Sequence, residues 1–156
     1  MNDKNFSKNL VKGKIAEILF EQMLRDAGGF TVLSFGYENI LPELAIRQNT
    51  INAKEAMEII RRAPDFVVID NNTHEVHLVE VKYMRQLDKK YILPTAKRMF
   101  QSWKPSWLFL ATPNGFFFAK VCDIVENKGE IPELTHSRVS EQLQLQYIKL
   151  LNEFIV

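Results

Sequence analysis

Residues 64–82 read Pro-Asp-Phe-Val-Val-Ile-Asp-Asn-Asn-Thr-His-Glu-Val-His-Leu-Val-Glu-Val-Lys, two apolar runs joined by a polar Asn-Asn-Thr turn. This is the pattern of a β-hairpin, with Asp65 opening the first strand and Glu80 and Lys82 closing the second. Residues two apart on a strand share a face. Glu80 and Lys82 therefore end an otherwise apolar row with Val76 and Leu78, and Asp65 shares a face with Val67 and Ile69. Antiparallel pairing brings the start of the first strand beside the end of the second, which predicts that Asp65 meets Glu80 across the ladder.

Two carboxylates and one ammonium at one end of a sheet suit a divalent metal. Magnesium takes hard oxygen ligands and is often held by one or two protein carboxylates, with water and substrate phosphate filling its shell. A bound metal lowers the pKa of its water and neutralises phosphoryl charge, and a neighbouring lysine orients that water or stabilises the developing negative charge. Taken singly, Asp65 reads as a turn cap and Glu80 and Lys82 as a solvated strand end. Their combination, one helix after Glu17, favours the metal.

Pro64-Asp65 followed by Glu80-Val81-Lys82 resembles the bipartite signature of the PD-(D/E)xK nuclease superfamily, which includes type II restriction enzymes and archaeal-type Holliday junction resolvases. The stretch Lys12-Gly13-Lys14-Ile15-Ala16-Glu17, with Leu24 and Gly29-Phe30-Thr31-Val32, is similar to the opening helix and first strand of the resolvase-like branch. The resemblance spans about residues 8–121, and its force lies in the order of motifs that are each weak alone. It implies a restriction-endonuclease-like αβββαβ core with a mixed central sheet flanked by helices. It also implies a Mg2+ site, with Mn2+ able to substitute, built from Asp65, Glu80, the backbone carbonyl of Val81, and Glu17 directly or through water. Lys82 then positions or activates the hydrolytic water, and in-line hydrolysis leaves a 5′ phosphate and a 3′ hydroxyl. Residues 37–63, between the first strand and Pro64, are a longer connection than a compact resolvase core carries.

The formal net charge is only +1, so the distribution of charge says more than its sum. From 82 to 104, Lys82, Arg85, Lys89, Lys90, Lys97, Arg98 and Lys104 face the single acid Asp88. Such a stretch is either a phosphate-binding surface, with Lys89, Lys90, Lys97 and Arg98 as DNA contacts, or a solvated helix face. The lone Cys122 offers neither a disulfide framework nor a multi-cysteine zinc pattern, and is expected as a small buried thiol in an apolar run, 116–125. His74, His77 and His136 lack metal spacing. No apolar run is long enough to span a membrane and no signal core follows the first residues, which makes a cytoplasmic or nucleoid location the default.

At 156 residues the chain reads as one domain, 1–156. Residues 8–27 form an amphipathic helix, capped by Ser7 and stopped by Gly28-Gly29, with Glu17 on the border of its apolar arc and Glu21 as a rival ligand one turn on. Strand 30–35 follows. A helical insertion, 37–63, holds a short helix from Pro42 to about Arg47 and a capping box of Asn52 and Glu55; it either shapes the cleft or packs as a crossover. After the hairpin, Pro94 is expected to break the helix 87–103 near Leu93. Strand 107–112, an Asn114-Gly115 turn and strand 116–121 complete the sheet. A C-terminal helix, about 139–154, either covers the sheet or buries against a second copy.

Two functions fit this reading. One is a magnesium-dependent DNA endonuclease, with branched DNA as the first substrate and a homodimer matching its symmetry. The other is a catalytically inactive nucleic-acid-binding or assembly subunit of a larger DNA-processing complex that retains the fold.

Overall fold

The computed structural model describes residues 3–36 and 54–155. In chain order these form α1 (Asp3–Ala27), β1 (Phe30–Ser34), α2 (Lys54–Arg61), β2 (Phe66–Asp70), β3 (Val76–Tyr83), α3 (Lys89–Ser102), β4 (Trp107–Thr112), β5 (Gly115–Lys120), α4 (Val121–Glu126) and α5 (Glu141–Phe154). The strands make one mixed sheet in the order β1-β2-β3-β4-β5, antiparallel throughout except for the parallel β3–β4 pair, whose crossover contains α3. The fold is thus α/β, with helices flanking a five-stranded sheet. The expected helix from Pro42 and the Asn52 cap lie outside the described residues.

Strand alternation sends side chains to two cores. Val68, Val79, Val81, Phe109 and Phe116 meet Ala16, Leu19, Phe20 and Met23 of α1 and Tyr147 and Leu151 of α5. On the other face Leu108, Leu110 and Ala119 meet Ile92, Ala96 and Met99 of α3 and Ile124 of α4. The C-terminal helix therefore packs within its own chain. Ser140 caps it by accepting from the Leu143 N–H at 3.1 Å, and the Tyr147 hydroxyl donates to Asp26 of α1.

Several local expectations change. The helix α1 begins at Asp3, so Ser7 lies inside it; Gly28 and Gly29, with φ of +75° and +77°, end it as expected. The fully buried row of β3 is Val79 and Val81, while Val76 is 60% exposed, because α1 covers the opposite face from the one Val76 shares with Glu80. Pro94 does not split α3. It removes one donor near the start of a helix that Asp88 caps, accepting from the Lys90 N–H at 2.9 Å, and the buried Ile92, Ala96 and Met99 hold both halves in line. The β4–β5 loop is Pro113-Asn114, one residue earlier than expected, because Thr112 pairs with Gly115. The sheet stops at Lys120, so Cys122 sits partly exposed on the short helix α4 instead of in a strand.

Candidate active site

The hairpin register pairs Phe66 with Val79 and Val67 with Leu78; one further step sets Asp65, just before β2, opposite Glu80. Asp65 is pinned from both sides. Its backbone carbonyl accepts from the N–H groups of Phe35 at 2.8 Å and Gly36 at 3.3 Å, and its Oδ2 accepts from the Val81 N–H at 2.8 Å.

Around Asp65 opens a cleft of about 300 Å³ whose walls include Glu17 and Lys14 of α1, Arg61 and Arg62 at the end of α2, and Glu80 of β3. The helix α2 is tied to α3 by the Trp103 indole, which donates to the Ile59 carbonyl at 2.8 Å, and that tie sets Arg61 and Arg62 at the cleft. Lys82 Nζ lies 2.6 Å from Glu80 Oε1, and Lys14 Nζ lies 2.8 Å from Glu17 Oε2. Beside Lys82, on the α3 side, is a further hollow of about 190 Å³ lined by Tyr91 and Thr95. Tyr91 is 69% exposed.

The electrostatics of this group are strained. Burial pushes the Asp65 carboxyl up to about 7; the Glu80 charge adds to the rise and Glu17 adds less, against the Val81 hydrogen bond and the Lys82 charge. Burial alone would lower the Lys82 pKa, but the Glu80 carboxylate, by charge and hydrogen bond, outweighs it and holds the ammonium above its ordinary value. Among the described residues no three histidine, cysteine, aspartate or glutamate side chains form a ready-made metal cage. The donor set still fits a hard cation that keeps much of its water, because Asp65 Oδ1 and Glu80 Oε2 are not the oxygens engaged by Val81 and Lys82.

The four cations expected to contact DNA on α3 do not line this cleft. Lys89 pairs with Glu130, and Lys90, Lys97 and Arg98 are exposed. A roomier cavity, about 430 Å³, lies at the other end of the sheet between α1, β3 and the segment before α5. Its acid Asp70 is neutralised: burial opposes its charge, but the N–H groups of Asn72 and Thr73 and the Arg138 guanidinium outweigh that and lower its pKa. Burial likewise lowers the pKa of its His77. Of the two, the Asp65 cleft is the one that gathers Glu17, Asp65 and Glu80 around a raised carboxyl, which makes it the candidate centre.

The fold and site together define an α/β domain with a mixed, mostly antiparallel sheet, carrying a partly buried carboxylate cleft at the end of its central hairpin. Comparison with protein-family models, curated proteins and solved structures gives no match. Among the described residues no helix is long and apolar enough to cross a membrane.

Proposed function

We propose that the chain is a metal-dependent DNA endonuclease of the PD-(D/E)xK kind, with a restriction-endonuclease-like core. The observation that carries this reading is the convergence of Glu17, Asp65 and Glu80 on one cleft, where burial, and after it the Glu80 charge, push Asp65 up to about 7. Mg2+ or Mn2+, when bound, supplies charge neutralisation at the phosphate and a lowered water pKa. Asp65 Oδ1, Glu80 Oε2 and the Val81 carbonyl are the groups to hold it, and Glu17 completes the set directly or through water. Lys82 stays protonated at neutral pH, so it serves as a hydrogen-bond donor that orients water and stabilises developing charge. Arg61, Arg62 and Lys14 bring positive charge to the same cleft for the phosphate flanks.

The competing reading, a catalytically silent nucleic-acid-binding or assembly subunit, draws on the near-neutral charge of +1 and on the lack of a preformed donor cage among the described residues. Incubation with Mg2+ or Mn2+ and end-labelled duplex, single strand, flap and four-way junction separates the two, with Asp65→Ala as the contamination control. Cleavage by the wild type alone, leaving 5′ phosphates, is expected. Paired cuts confined to the junction would identify a resolvase acting as a dimer. No cleavage above the Asp65→Ala background on any substrate would reject the endonuclease.

A further inference from the structure

The stripe of α1 that buries Met23, Phe20, Leu19 and Ala16 continues toward the N-terminus, at three- and four-residue steps, through Lys12, Asn9 and Asn5. Its chemistry changes from apolar to polar between Ala16 and Lys12. The change falls where the sheet ends, since Lys12 Nζ lies 5.7 Å from the ring centre of Tyr83, the last residue of β3 and the neighbour of Lys82. Residues 4–11, about 12 Å of helix, are exposed at the end of the sheet that carries Glu80 and Lys82, and Leu10 among them lines the Asp65 cleft. A Cβ on Gly13 would meet nothing within 4 Å, which leaves open space beside that turn.

Lys4, Lys8 and Lys12 recur at four-residue intervals, about 6 Å apart along the helix. Among the described residues none of the three has a carboxylate within ion-pair distance. The exposed apolar side chains of this stretch, Phe6, Leu10 and Val11, lie outside the stripe, Leu10 on the cleft side; the stripe itself carries amides and lysines that have no carboxylate partner among the described residues, a chemistry that matches a polyanion.

We propose that this overhang is a track for the phosphate backbone of duplex DNA leaving the cleft, with Lys8 and Lys12 on phosphates and Asn5 and Asn9 donating to phosphate or sugar oxygens. The assignment rests on the nuclease reading for the placement of DNA at the cleft. The span from Lys4 to Lys12 corresponds to roughly three or four nucleotides at about 3.4 Å of axis each.

The test measures binding of a fluorescein-labelled DNA duplex to the full chain by anisotropy over a series of salt concentrations, with Ca2+ replacing Mg2+ to suppress cleavage. Each phosphate contact contributes about 0.9 to the slope of log affinity against log salt, so Lys8→Ala/Lys12→Ala is expected to lower it by about 1 to 2. Lys8→Arg/Lys12→Arg should keep the wild-type slope, and Lys149→Ala, on α5, should leave it unchanged. Calorimetric Mn2+ binding to the double alanine variant should match wild type, which separates the track from the metal site. An unchanged slope in Lys8→Ala/Lys12→Ala, an equal loss in Lys149→Ala, or no duplex binding by the wild type would overturn the track. An intact salt response in a protein that cleaves nothing would sink the nuclease reading and leave the track standing.

Discussion

Replacing Asp65 with asparagine in the metal-free protein is expected to stabilise the fold at neutral and alkaline pH. The carboxyl titrates at about 7 in the folded chain against 3.8 as the ordinary value, a gap of roughly three units at about 1.36 kcal/mol each, or about 4 kcal/mol. Water reaching a partly exposed group relaxes some of that, and about 2 kcal/mol is a fair working figure. The sign follows from proton binding. Between about pH 4 and 7 the folded chain holds a proton on Asp65 that the unfolded chain has released, so wild-type stability falls as pH rises through that window. The fall is absent below about pH 4 and complete above about pH 7. Asparagine keeps an oxygen for the Val81 N–H and carries no charge, so the variant lacks the fall. Urea unfolding with a chelator present, at steps from about pH 4 to pH 8, measures the difference between variant and wild type, in which the other titrating groups largely cancel. The variant's advantage should grow by about 2 kcal/mol across that range. A difference that stays flat, or a variant less stable at pH 8 than at pH 4 relative to wild type, would refute the strained carboxylate.

Lys82→Ala is expected to lower single-turnover cleavage by about 10²- to 10³-fold at saturating DNA and metal, with DNA affinity changed only slightly, because its ammonium serves developing charge more than ground-state attraction. Normal cleavage by the variant would remove Lys82 from the chemistry. Leu151→Ala deletes a fully buried side chain under α5 and should cost about 2 to 5 kcal/mol in urea unfolding, independent of protein concentration. A cost that vanishes on dilution would instead place α5 in an interface between copies.

The hairpin was legible because two signals agreed, period-two apolarity and a short polar turn, and they alone place Asp65 against Glu80 once the strands pair. The cleft walls were not legible in the same way. Arg61 and Arg62 reach the site through the Trp103 contact with α2, forty-odd positions away in the chain, and no local pattern announces such a tie. The α3 cations were visible as charge, but their direction depends on which face of the helix the core claims: Ile92, Ala96 and Met99 take one side, and Lys89 turns to Glu130. Pro94 stays within its helix because a residue preference of a few kcal/mol or less yields to the Asp88 cap and the buried stripe of Ile92, Ala96 and Met99. Cys122 leaves the strand because β5 ends at Lys120 and Val121 and Ile124 are buried from a short helix.

The choice between an enzyme and a silent module turns on what Asp65 costs. A binding surface needs positive charge, and Arg61 and Arg62, which share Glu58, carry a surplus of it at the cleft without any help from a half-buried acid beside Glu80. An amide at position 65 would keep the Val81 hydrogen bond and remove the repulsion. Carboxylates gathered around a half-buried acid in one cleft are the arrangement that metal-assisted chemistry requires, since a cation that relieves Asp65 also acts on the phosphate. The stability lost between pH 4 and 7 and the proposed metal affinity then share one origin, the burial of Asp65 with the Glu80 charge beside it. Mn2+ binding should strengthen as pH rises through about 7, where Asp65 gives up its proton. Calorimetry in two buffers of different ionisation enthalpy should show close to one proton released per ion bound near pH 6 and fewer near pH 8. Binding with no linked proton at either pH would mean that the ion does not sit on Asp65, and the silent module would then be the better account of the fold.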